Sequence, residues 1–132
     1  MASTVVDRPI ISADSHITEP PDCYTKHIDP KFRDEAPRVE RDPQRGDMFV
    51  IPGMKPISMS LTAAAGIPPE DLAENGRTFE ELHRSGYSPE TRAADQDRDG
   101  VGGEIIYPTV GMLLCNHKNP EYKQACFEAY NR

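Results

Sequence analysis

The residues in this chain best suited to chemistry are Asp14 and His16, one residue apart at the end of the apolar run Pro9-Ile10-Ile11-Ser12-Ala13. Side chains alternate across a β-strand, so positions i and i+2 project the same way, and this pair offers a carboxylate oxygen and an imidazole nitrogen side by side. Those ligands suit a divalent cation, Zn²⁺ or Mn²⁺. An apolar run that ends in two convergent polar groups is also how a parallel α/β barrel places its chemistry, at the carboxyl end of a strand. The same two residues equally describe a plain strand end, with Asp14 opening a turn and His16 at the surface. Spacing alone does not separate these readings.

Other motifs fail on inspection. Asp95-x-Asp97-x-Asp99-Gly100 begins like a calcium loop, but position twelve, which should be a bidentate Glu, is Ile106, and Glu104 comes two residues early. These acids read as a helix end facing solvent. Cys23 with His27 and Cys115 with His117 lack the tight paired spacing of structural zinc modules, and Asp29-Pro30 leaves little helix to hold the first pair. His83 falls in a charged stretch and is expected to be exposed. No Gly-x-Ser-x-Gly, P-loop or GxGxxG signature is present, which disfavours serine hydrolases, nucleoside triphosphatases and dinucleotide enzymes.

The formal net charge is -7, from 15 Lys and Arg against 22 Asp and Glu, and no basic run or aromatic platform is present, so a nucleic-acid partner is not expected. No apolar run is long enough to span a bilayer, and residues 1–8 lack the basic and apolar regions of an export signal. Three cysteines without CxxC spacing suit a reducing cytoplasm. With 36% hydrophobic residues, 13 prolines and no tryptophan, the chain offers thin material for an independent core, and marginal stability is expected.

Residues 1–8 read as a loose arm and Pro9 to Ala13 as a strand, in which Ile10, Ser12, Asp14 and His16 share one face and Ile11 and Ala13 the other. A short helical stretch fits within Cys23 to His27. Arg38-Val39-Glu40 and Met48 to Ile51 predict a small hairpin. Residues 52–86 are rich in Pro, Gly and charge, with one weak helix around Phe79 to Arg84, and read either as a pocket-covering excursion or as surface disorder. Ser88 to Gly100 predicts a helix capped at both ends. Glu104 to Tyr107 predicts a second strand, placing Tyr107 and Thr109 at the same rim as Asp14 and His16. Val110 to His117 is an apolar loop, whose Met112, Leu113 and Leu114 read as packing. Asn119 and Pro120 then open a final helix with an apolar stripe at Tyr122, Cys126, Phe127 and Tyr130.

Two blocks carry a resemblance. Ile11-Ser12-Ala13-Asp14-Ser15-His16-Ile17-Thr18-Glu19-Pro20-Pro21 resembles the opening of the amidohydrolase-related family of metal-dependent TIM-barrel enzymes. Ala94 to Val101, followed by Glu104-Ile105-Ile106-Tyr107-Pro108-Thr109, resembles the passage that brings in the second barrel strand. Weaker similarity continues through Ala129-Tyr130-Asn131, and the stretch from about Asp42 to Gly86 matches loosely.

The resemblance implies an α/β fold: the N-terminal portion of a (β/α)₈ TIM barrel, with strand 1 near 9–14, an insertion near 20–87, a helix near 88–99, strand 2 near 104–108 and a further helix starting near 119–132. A complete barrel needs about 250 residues, so 132 hold only its opening. No stop signal follows the last helix before Arg132, and the helix is expected to continue. The resemblance also implies that Asp14 and His16 are metal ligands, that Tyr107 and Thr109 face a small-molecule substrate, and that a further His and Asp come from later strands. The family's first motif is commonly His-x-His, and relatives with an acid at the first place include nonoxidative decarboxylases of aromatic acids. Hydrolysis of a C–N or C–O bond and loss of CO₂ from a carboxylate both remain open, as do the general base, the choice of metal and homo-oligomerisation of the full-length protein. The chain alone is expected to bind metal weakly and to catalyse nothing. The competing class is a noncatalytic acidic binding module, complete at 132 residues.

Overall fold

A computed structural model describes residues 9–62, 64–71 and 76–132. The arm expected at residues 1–8 lies outside them. Strand β1, Ile10–His16, pairs in parallel with β5, Val101–Tyr107, and both carry the β-branched residues that favour extended backbone. Parallel partners need a long crossover, and its last piece is helix α2, Pro89–Asp99. The Ser88 hydroxyl accepts from the Thr91 N–H at its start, and Gly100 stops it in the left-handed region at φ 72°. The Gly100 carbonyl then accepts from Ile10 N–H at 3.2 Å, joining the helix exit to the start of β1.

The register of this ribbon is irregular at two places. Ile10 faces Val101 but Ile11 faces Gly103, so β5 carries an extra residue; Ser12 faces Glu104 but Ser15 faces Ile106, so β1 carries one in turn. The second shift overturns the strict alternation expected along β1. Ser12 and Ser15 hydrogen-bond to each other at 2.7 Å and line the α2 side with His16, Arg92, Gln96 and Glu104, whereas Asp14 lines a second depression that His16 also borders. An unpaired residue re-aims the side chains around it.

The described residues between β1 and α2 are folded. Cys23 to His27 forms successive turns rather than the expected helix, before a 3₁₀ turn at Pro30–Glu35. β2, Arg38–Asp42, and β3, Gly46–Val50, make the antiparallel hairpin, and a short β4, Ile57–Ser58, extends it to three strands before the single turn α1, Met59–Thr62. The Asp42 carboxylate fixes the hairpin turn by accepting from the Gln44 and Arg45 N–H groups, both at 2.9 Å. In place of the weak helix near Phe79 to Arg84 there are 3₁₀ turns at Phe79–Glu81 and Arg84–Gly86.

The core unites this segment with the end of the chain, through a 3₁₀ stretch at Val110–Asn116 and helix α3, Pro120–Tyr130, capped by the Asn119 side chain. Tyr24 meets Phe49 edge-on at 5.9 Å, and Phe32 meets Tyr122 at 5.5 Å. Met59, Leu114 and Cys126 are wholly buried around them, and the Tyr122 hydroxyl donates to the Glu35 carbonyl at 2.7 Å. Aromatic residues make up much of this core. The β1–β5 ribbon differs: Ile10, Ile11, Ile105 and Ile106 remain exposed, Ile11 at 62%.

Candidate metal centre

β1 ends on Asp14 and His16, and both side chains leave on the same side. Asp14 Oδ1 stands 3.3 Å from His16 Nε2. His16 Nδ1 lies 3.0 Å from the Pro108 carbonyl oxygen. A carbonyl can only accept, so this bond places a proton on Nδ1. Nε2 is then the nitrogen directed toward Asp14, and in the neutral ring it carries the lone pair that a cation would use. Two donors each about 2.1 Å from a tetrahedral ion sit about 3.4 Å apart, so the observed pair spacing fits two corners of one coordination shell. It fits an imidazolium–carboxylate ion pair equally well. Among the described residues, no group of three or more His, Cys, Asp and Glu side chains is placed to hold a metal.

The backbone under this pair is clamped from the α2 side. The Arg92 guanidinium grips the Glu104 carboxylate through two nitrogens, and its remaining terminal nitrogen donates to His16 O at 3.0 Å and Ser85 O at 3.2 Å. Gln96 adds a further donor to Glu104. The Arg92 bonds hold the Glu104 carboxyl below the usual glutamate range. A planar fork suits this task because it binds a carboxylate bidentately and still has an N–H to spare.

Tyr107 and Met112 border the same open depression as Asp14 and His16, with the Tyr107 ring 6.1 Å from the imidazole. The Thr109 hydroxyl donates to the Ile17 carbonyl, and Thr109 lines the α2-side groove, which His16 also borders. Of the residues in the alternative zinc reading, His117 is engaged elsewhere, its Nε2 donating to the Pro52 carbonyl at 3.1 Å.

Glu19 has a role that its sequence position concealed. It is fully buried, and its carboxylate accepts three backbone N–H groups from the segment after β5: Thr109 at 3.0 Å and Gly111 at 2.8 Å on one oxygen, Val110 at 3.3 Å on the other. Burial pushes its carboxyl above the usual value, and the backbone bonds oppose that shift. Gly111 must be glycine here, because a Cβ would lie 2.3 Å from the Tyr24 hydroxyl and 2.9 Å from the Glu19 carboxylate. The available signal was an acid three residues beyond His16, in the same block, where a strand exit rarely buries a charge.

No family model and no curated protein matches the chain. Among solved structures, it is similar to an amidohydrolase from Mycobacterium avium subsp. paratuberculosis K-10, at a TM-score of 0.65 and 20% identity over 96% of this chain. The chain spans 37% of that protein's length. The likeness supports an amidohydrolase-like fold, and the described residues form a mixed α/β arrangement with one parallel and one antiparallel sheet. Among the described residues, no helix is long and apolar enough to cross a membrane.

Proposed function

We propose that this chain is the opening part of a metal-dependent enzyme of the amidohydrolase-related type, in which Asp14 and His16 supply two ligands to a divalent cation, Zn²⁺ or Mn²⁺. The observation that carries this is the pairing of Asp14 Oδ1 with His16 Nε2 at 3.3 Å, at the carboxyl end of a parallel strand, with Nδ1 anchored on a carbonyl. The Pro108 carbonyl fixes the ring's orientation and makes Nε2 a better donor, while Asp14 brings negative charge. When bound, the cation would act as a Lewis acid toward a substrate oxygen. Tyr107 offers an aromatic wall and a hydroxyl beside the pair for orienting a small-molecule substrate.

The exposed isoleucines of the ribbon support a longer fold, since further strands and helices of a barrel would cover them. On this reading the remaining ligands come from those elements. The reaction is hydrolysis of a C–N or C–O bond or loss of CO₂ from an aromatic or related carboxylate. Assaying the full-length protein against amides, lactones and aromatic carboxylates, with CO₂ release followed separately, distinguishes them. His16→Ala should remove bound metal and activity together, and retention of both removes His16 from the site. The noncatalytic binding-module reading, in which Asp14 and His16 form a simple ion pair, is favoured if the wild-type full-length protein takes up neither Zn²⁺ nor Mn²⁺.

A further inference from the structure

We infer that Glu19 is a positioning residue for His16, acting through the segment Pro108 to Gly111 to present the carbonyl that holds a proton on His16 Nδ1; the consequence for metal affinity, though not for the proton itself, rests on the function proposed above.

Three observations lead here. Among the described residues, the hydrogen-bond partner of His16 Nδ1 is the Pro108 carbonyl, and a peptide carbonyl is aimed by the backbone that follows it. That backbone is fastened at three consecutive N–H groups, of Thr109, Val110 and Gly111, to one carboxylate. The carboxylate belongs to the residue three places beyond His16, so the loop leaving β1 and the loop leaving β5 are tied at a single point. A second tie, from the Thr109 hydroxyl to Ile17 O, closes the same junction.

The arrangement is costly for a purely structural link. A neutral side chain could join two loops, whereas a buried carboxylate must replace its entire hydration with protein donors. Converging N–H groups do that, and two-oxygen acceptance fixes three peptide planes at once. Fixing the planes matters for His16 because Asp14 competes for the ring. A proton on Nε2 would bond to Asp14, and a proton on Nδ1 bonds to Pro108 O. A rigidly held carbonyl favours the neutral ring with its proton on Nδ1, which leaves Nε2 for a cation.

The test uses full-length protein with ¹⁵N-labelled histidine, stripped of metal. Wild-type His16 should show a proton directly bonded to Nδ1. Glu19→Gln replaces one acceptor oxygen with an NH₂ that opposes the backbone donors, and should lose that proton or exchange it much faster. Zn²⁺ affinity, measured by titration with Zn²⁺ alone, should fall about tenfold, the lower end of what lost outer partners of metal ligands cost. Glu19→Asp keeps the charge but is too short to reach all three N–H groups, and should give an intermediate result; it also serves if Glu19→Gln does not fold. A wild-type His16 without a proton on Nδ1 overturns the inference, as does an unchanged Nδ1 signal in a folded Glu19 variant. If the Nδ1 effect is present but wild-type protein does not bind Zn²⁺, the positioning role stands and the metal function falls. If Zn²⁺ binds and the variants leave Nδ1 unchanged, the reverse holds.

Discussion

The segment between β1 and α2, together with α3, and the β1–β5 ribbon are built from similar materials and do opposite things. The first encloses Tyr24, Phe49, Met59, Leu114 and Tyr122 in a closed core and carries none of the residues assigned to the metal. The second leaves four isoleucines in contact with solvent and carries Asp14, His16 and Tyr107. The closed core and the proposed metal site are therefore spatially separate, and Glu19 and Arg92 are the residues that couple them. Substitutions in the two regions should differ in kind as well as in size.

The largest effect on stability is expected from Leu114→Ala, which empties a wholly buried position and should cost about 2–5 kcal/mol in chemical denaturation. A loss under about 1 kcal/mol would mean that the aromatic cluster does not dominate the fold. Next comes Arg92→Met, which strands the mostly covered Glu104 carboxylate and frees the backbone of His16. A loss of about 2 kcal/mol is expected, between the values for surface and buried pairs. This pair also sets a pH dependence. Because the Glu104 carboxyl is lowered in the folded protein, its contribution is complete above the ordinary value of 4.5 and fades as pH falls through the lowered one. Arg92→Met should flatten the acid limb of the stability profile, and an unchanged limb would show that Glu104 gains nothing from Arg92.

His16→Ala should leave the unfolding midpoint nearly unchanged, within about 0.5 kcal/mol, because the side chain sits at the open rim, 39% exposed, while removing the proposed metal site. A large stability loss would contradict the separation of the two regions. The smallest effect is expected from Ile106→Thr in the 132-residue chain, where the side chain is 46% exposed. In full-length protein the same change should cost more, about 1–2 kcal/mol, if further elements cover the ribbon. Equal effects in both would argue against that cover.

The local grammar of the chain was readable in advance. Ser88 and Gly100 bracket α2, Asn119 and Pro120 open α3, and the i, i+2 spacing brings Asp14 and His16 to one side. Each depends on residues within one turn or one strand. What the sequence concealed depends on distant partners. Glu19 looks like a polar strand exit until the N–H groups about 90 positions later reach it, and Glu104 looks like a surface acid until Arg92 does. The extra residue in β1 likewise shows only against its partner strand, and with it Ser12 and Asp14 line different depressions. Cys23 to His27 has acceptable helix formers, but Pro20-Pro21 before it and Asp29-Pro30 after it leave too few residues to repay helix nucleation.

The two register shifts in the ribbon have opposite sense, and β1 and β5 consequently finish level, His16 beside Tyr107. Losing one residue from either strand would leave the other shift unbalanced and carry the rim groups one pairing step out of line. Sequence drift that shortens or lengthens this ribbon must therefore occur as matched pairs of changes, one in each strand, and related chains that differ in length here should differ in both strands together.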